Sequence, residues 1–199
     1  FNQDGGQHVE DMAGTNHGVA EYAEWTPDGK FGGACEFNGQ NTCIAVSTTN
    51  LVDNLHAMTF AAWVFLKKYP PDFSGIVSRR MPAELWWFGP KFGQGLQLCF
   101  SGPGNNWERT TGASSFDVGQ WNHVAFTYES GGASKIFING KVANSVSIRG
   151  SLPSDSATPL RIGRGCGEPE TFNGRMDEIM IFNRALTDEE IAEISTSEP

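Results

Sequence analysis

Apolar and polar residues fall in many short runs rather than in long helical stripes. Strand-like runs occupy residues 18–22, 34–37, 43–46, 58–66, 75–79, 85–88, 96–101, 121–129, 134–138, 141–146, 160–163 and 175–182, with Gly, Pro, Asn and Asp between them. Residues 59–65 are apolar nearly throughout, which suits a strand in the middle of a sheet. Asn139-Gly140 between two β-prone runs predicts a type I′ hairpin, because both central residues need positive φ. In 175–182, Met176, Ile179 and Ile181 mix with Asp177 and Glu178, an imperfect alternation compatible with one buried face. Thr187-Asp188-Glu189-Glu190 then forms a capping box that opens one short helix running to about Ile194. Many strands and one terminal helix predict an all-β, two-sheet antiparallel sandwich, with residues 1–199 as a single domain.

Composition narrows the function. A net charge of −9 with only 14 Lys plus Arg argues against nucleic acid, whose binding needs a basic surface. The longest apolar run, 58–66, is too short to span a bilayer, and no charged-then-apolar leader opens the chain. No membrane insertion is expected, and the chain reads as a soluble, secreted monomer in mature or excised form. Cys35, Cys43, Cys99 and Cys166 follow no zinc spacing. Cys35 and Cys43 flank a turn, so they read either as a disulfide or as two small buried residues; Cys99 with Cys166 follows only by elimination. Trp63 and Trp121 are assigned to the core.

Several phrases in order carry a family resemblance: DMAGTNHG at 11–18, FGGACEFNG at 31–39, FAAWV at 60–64, WNHVA at 121–125, FING at 137–140, LRIG at 160–163 and GRMDEIMIFNRALTDEEI at 174–191. They resemble the laminin G-like, concanavalin A-like jelly-roll domains across nearly the whole chain. The resemblance implies a curved two-sheet jelly roll, used as a carbohydrate-binding module of secreted polysaccharide-degrading enzymes or as a lectin or adhesion domain. It also implies a structural calcium ion. Asp177 is the first candidate ligand, and Asn2 and Asn38 match positions where the family often has Asp. Asn in place of Asp lowers ligand charge and weakens calcium. The alternative is that Asn38 only shapes a turn and Asp177 is a buried hydrogen-bonding carboxylate.

Catalysis finds little support. The chain lacks the Glu-x-Asp-x-x-Glu run by which similar jelly rolls supply two close carboxylates, and it lacks a Gly-x-Ser-x-Gly elbow. His123 is expected to be a satisfied structural histidine.

Sugar recognition calls for exposed aromatic faces beside planar polar groups. Residues 78–92 hold Arg79, Arg80, Trp86 and Trp87, and neighbouring tryptophans on a strand point to opposite faces, so one of the pair is expected in solvent. Trp107 and Arg109 form a second loop of the same kind. The three arginines could receive a uronate or sulfate. The alternative is that the tryptophans cover sheet edges and the arginines pair with Glu84 or Glu108. The leading expectation is a non-catalytic module that binds polysaccharide and works beside a catalytic domain of a parent enzyme. A protein-binding adhesion or receptor domain is the second reading, and a cryptic hydrolase or lyase the third.

Overall fold

The structure is a computed structural model. It describes residues 7–46, 52, 55–70, 73–80, 85–91, 95–101, 107–111, 117–147, 152, 155, 157–165 and 170–198, with the backbone alone at 107–111. The strands are β1 (His8–Val9), β2 (Gly18–Glu21), β3 (Glu24–Thr26), β4 (Ala34–Asn38), β5 (Cys43–Val46), β6 (Ala57–Leu66), β7 (Val77–Arg79), β8 (Trp86–Pro90), β9 (Leu96–Ser101), β10 (Trp107–Thr111), β11 (Trp121–Glu129), β12 (Ala133–Ile138), β13 (Lys141–Ser147), β14 (Leu160–Ile162) and β15 (Asn173–Phe182). One helix, α1 (Asp188–Ile194), follows. Two antiparallel sheets form, in the orders β1-β2-β5-β14-β7-β8-β9-β10 and β13-β12-β11-β6-β15-β4-β3. The expected sandwich is the observed one.

The core between the sheets follows strand parity. On β6, Met58, Phe60, Ala62, Val64 and Leu66 point inward, and on β11 Val124, Phe126 and Tyr128 do the same. Phe126 stacks on Phe60 and receives Phe88 edge-on, so the aromatic centre joins both sheets. β6 is buried on both faces because a second, smaller core lies outside the seven-stranded sheet. There Ala61, Ala125 and Phe137 meet Leu186 and Ile191 of the closing segment. The continuous apolar run of 59–65 has this two-sided burial as its cause.

The imperfect alternation of β15 also has a cause. Asp177 opposes Trp63 and Met180 opposes Ala61, so three residues of β15 advance against two of β6. The extra residue is a β-bulge, and Glu178 takes φ 46° within it. The bulge shifts the phase by one residue, leaving Met176 and Ile179 toward the main core and Met180 and Phe182 toward α1.

The hairpin turns at Asn139 (φ 50°) and Gly140 (φ 75°), as the sequence predicts. A Cβ on Gly140 would lie 2.4 Å from Ser195 Oγ, so the turn also packs against the end of the chain. The capping box is present: Glu190 N–H donates to Thr187 Oγ1 at 3.2 Å, and Thr187 N–H donates to Glu190 Oε2 at 2.8 Å.

The cysteine expectation is corrected. β4 and β5 belong to different sheets, so the turn between them is a crossover rather than a hairpin. Cys35 faces the core, whereas the Cys43 thiol donates to Glu21 Oε2 at 3.1 Å. Both are buried thiols, and no Cys35–Cys43 disulfide forms. Burial pushes the thiols up, to about 12 for Cys35 and about 11 for Cys43. Cys166 lies outside the described residues, and with it the pairing to Cys99.

Replacing Thr187 with Ala removes one acceptor from the α1 cap and is expected to cost about 1 kcal/mol, read as a shift in a urea unfolding curve. An unchanged midpoint would mean that α1 is held by Leu186 and Ile191 alone.

Candidate functional site

The described part of the segment expected to bind sugar is instead built into the sandwich. Trp86 and Trp87 do point to opposite faces of β8, but neither reaches solvent, at 0% and 1% exposure. Trp86 packs on Phe126 between the sheets, 5.8 Å between ring centroids. Trp87 faces outward from the eight-stranded sheet and is covered by Phe73, 5.4 Å away and edge-on. Phe73 is brought there by its bridge to Lys91, a contact between residues 18 positions apart.

Arg79 is fully buried. Its guanidinium donates to the carbonyls of Val52 (3.3 Å), Asp155 (2.7 Å) and Thr158 (2.9 and 3.1 Å), fastening remote segments to β7. Arg80 donates to Glu170 Oε2 at 3.1 Å. These two arginines hold the fold together; Glu84 and the Glu108 side chain, their expected partners, lie outside the described residues. Trp107 and Arg109 are not in a loop: they lie on edge strand β10, opposite Ser101 and Cys99. Their side chains lie outside the described residues.

Asp177 and Asn38, the two calcium-ligand candidates among the described residues, do not come together. Asp177 accepts backbone N–H bonds from Lys30 (2.9 Å), Phe31 (3.0 Å) and Glu178 (2.9 Å), so donors rather than a cation surround its oxygens. Asn38 Oδ1 accepts from Gln40 N, Asn41 N and Thr42 Oγ1, which makes it a turn former. Asn38 opposes Asn173 in the sheet, and Asp177 stands four residues further along β15, about 13 Å at 3.3 Å per residue. One ion cannot be shared by both. Asn2 lies outside the described residues, among which no group of three His, Cys, Asp or Glu could hold a metal. Among the described residues, Asp177 and Asn38 do not form a site that fits the ion.

What the fold brings together lies on the outer face of the seven-stranded sheet, at the end that α1 leaves uncovered. The register aligns Trp121, Phe65, Arg175, Glu36 and Glu24 in one row across β11, β6, β15, β4 and β3. Four interstrand steps make this row about 19 Å long. The first four side chains are half-buried and Glu24 is exposed. Trp121 meets Phe65 edge-on at 5.8 Å, and the Arg175 guanidinium lies 4.6 Å over the Phe65 ring. Glu36 sits 3.7 Å from Arg175 and pairs with Lys67, while Arg175 also donates to the Asp28 carbonyl at 2.8 Å.

A strap, residues 27–33, borders this row and is held down by the Asp177 carboxylate. Phe31 packs edge-on against Trp63, and Lys30 Nζ lies 4.3 Å from the Trp63 ring centroid. Trp63 and Trp121 are thus not in the core between the sheets: Trp63 is buried beneath the strap and Trp121 is half-exposed. Sequence parity could have revealed this. Trp121 is out of phase with Val124, Phe126 and Tyr128, and Trp63 and Phe65 are out of phase with Met58, Phe60 and Val64; on β6 the signal was masked because both phases are mostly apolar.

His123 lies under this layer, fully buried and 5.5 Å from the Trp63 ring. The expectation of a satisfied histidine is corrected, since neither ring nitrogen has a hydrogen-bond partner among the described residues. Burial alone holds its pKa down at about 4.

The Laminin_G_3 sequence pattern, described as the concanavalin A-like lectin/glucanases superfamily, matches residues 38–192. The chain belongs to this superfamily. Among solved structures, this laminin G-like domain is similar to domain 4 of AbnA, a GH43 extracellular arabinanase from Geobacillus stearothermophilus, in complex with arabinotriose. The TM-score is 0.74 at 20% identity, covering 90% of this chain and 88% of that one. It is also similar to the binding domain of botulinum neurotoxin serotype D/C, with TM-score 0.75 at 16% identity, covering 98% of this chain but 50% of that one. These likenesses concern the fold. The "Sushi, von Willebrand factor type A, EGF and pentraxin domain-containing protein 1" of Rattus norvegicus is 25% identical over 75% of this chain. Human "Adhesion G-protein coupled receptor D1" is 32% identical over 59% of it. The laminin G-like domain spans 4% and 14% of those two proteins. No described helix is long and apolar enough to cross a membrane.

Two outcomes follow from the buried groups. Because the folded pKa of His123 lies below its unfolded value near 6.5, the unfolded chain binds the extra proton between about pH 6.5 and 4. Stability is therefore complete above that window and falls by up to about 3 kcal/mol as pH drops through it. Thermal melts at pH 7 and pH 4.5 should differ less in His123→Phe than in the wild type; equal pH slopes would refute this. A chelator should leave the melting temperature unchanged, and a clear drop would restore calcium.

Proposed function

We propose that this domain binds carbohydrate without transforming it, using the row from Trp121 to Glu24 as its platform. The observation that carries the reading is that row: half-exposed aromatic rings aligned with a guanidinium and carboxylates on a rigid sheet face. The Trp121 ring suits the C–H side of a sugar, while Arg175, Glu36 and Lys67 can exchange hydrogen bonds with its hydroxyls. A site about 19 Å long accommodates a short stretch of polysaccharide. Such a platform is largely preformed but shallow, so its affinity is modest and gains from tethering to a catalytic domain in a secreted parent enzyme. The arabinanase likeness supports that setting, since its matching part is one domain of an extracellular polysaccharide-degrading enzyme.

One observation favours a second reading, hydrolysis. Glu24 and Glu36 are directly opposed on neighbouring strands, which sets their Cβ atoms about 5 Å apart, and a retaining hydrolase uses two nearby carboxylates. Yet Glu36 is engaged by Lys67 and lies beside Arg175, and the pair stands at a sheet edge. Release of reducing ends from polysaccharide, abolished by Glu24→Gln, would establish that reading.

For the leading one, affinity electrophoresis against a panel of polysaccharides is expected to show retardation of the wild type. Trp121→Ala should weaken it about tenfold, or ~1.4 kcal/mol, with an unaltered circular dichroism spectrum. Retardation untouched by Trp121→Ala and by Phe65→Ala would remove the platform from the site.

A further inference from the structure

Resting on the carbohydrate reading above, we infer that the platform takes a neutral, hydroxyl-rich glycan and discriminates against uronates and sulfated sugars. Its cations are already matched. The Arg175 guanidinium lies 3.7 Å from both Glu36 and Asp28 carboxylates and donates to the Asp28 carbonyl. Lys67 is paired with Glu36. Lys30, in the bordering strap, rests on the Trp63 and Phe31 rings at 4.3 and 5.3 Å. Two cations, Arg175 and Lys67, thus meet the carboxylates of Glu36 and Asp28, Lys30 is held over rings, and Glu24 adds a further negative charge to the row, on a chain whose net charge is −9.

An anionic sugar would have to displace Glu36 from Arg175 and Lys67. It would then leave that carboxylate facing both the ligand and Glu24, its directly opposed neighbour, and like charges so placed repel. A neutral sugar needs no such exchange: its hydroxyls can donate to the outward lone pairs of Glu36 and accept from Lys67 without breaking either pair. Two of the arginines that could have argued for an acidic ligand are engaged elsewhere, Arg79 with backbone carbonyls and Arg80 with Glu170. Neutrality is therefore built into the platform by pairing, not by a lack of charged residues.

The full chain would be run in native gels containing neutral polysaccharides (arabinan, galactan, mixed-linkage glucan) or acidic ones (polygalacturonate, alginate, chondroitin sulfate), at low and high salt. The expected result is retardation in at least one neutral gel that survives high salt, with none in the acidic gels. Glu36→Gln releases Lys67 and Arg175 and should introduce salt-sensitive retardation by polygalacturonate. Wild-type retardation in an acidic gel, abolished by salt, would overturn the neutral class while leaving carbohydrate binding intact. Absence of retardation in every gel would overturn both.

Discussion

Asp177 is a fully buried carboxylate on the outer side of a β-sheet, and it is stable there because three backbone N–H groups converge on it. Desolvating a carboxylate costs several kcal/mol unless its lone pairs are satisfied. Two of the donors come from Lys30 and Phe31, so meeting that demand pins the strap of 27–33 onto the sheet. The third comes from Glu178, whose left-handed backbone forms the bulge of β15. One side chain therefore couples a local strand irregularity to a contact spanning 147 residues. Trp63 and His123 are buried as a consequence, and Arg175 is set over Phe65 next to the strap.

This arrangement divides the outer face of the seven-stranded sheet into three zones. At one end α1 and Leu186 build a small apolar core. In the middle the strap covers Trp63 and His123. At the other end the row from Trp121 to Glu24 stays accessible, with Arg175 beside Glu36. The bulge makes the zones compatible, because the extra residue lets β15 offer an anchoring carboxylate to the strap and apolar side chains to the helix. The eight-stranded sheet handles its outer face differently: Trp87 and Ser78 lie under returning loops, the Ser78 hydroxyl donating to the Arg164 carbonyl at 2.7 Å.

Much of the scaffold was legible because its determinants are local. Asn139-Gly140 satisfies a dihedral requirement within two residues, and Thr187 with Glu190 closes a cap within four. Parity along β6 and β11 reports which residues face together. The residues of the proposed platform were not legible in the same way. Trp87 looked exposed because adjacent strand residues must diverge, yet divergence does not say whether a face is covered. Phe73, reaching it through the pairing with Lys91, decides that. Cys35 and Cys43 looked like hairpin neighbours, but the turn between them changes sheets.

The sequence by itself thus determined the class of fold, the hairpin, the capped helix and the presence of an Asp-Glu interruption in the last strand, all of which depend on steric and hydrogen-bonding rules acting over a few residues. Tertiary structure alone decided which aromatics meet solvent and which charges are already paired. Those outcomes depend on register between strands far apart in the chain: Trp121, Phe65, Arg175, Glu36 and Glu24 share no local pattern and become one surface only when five strands align.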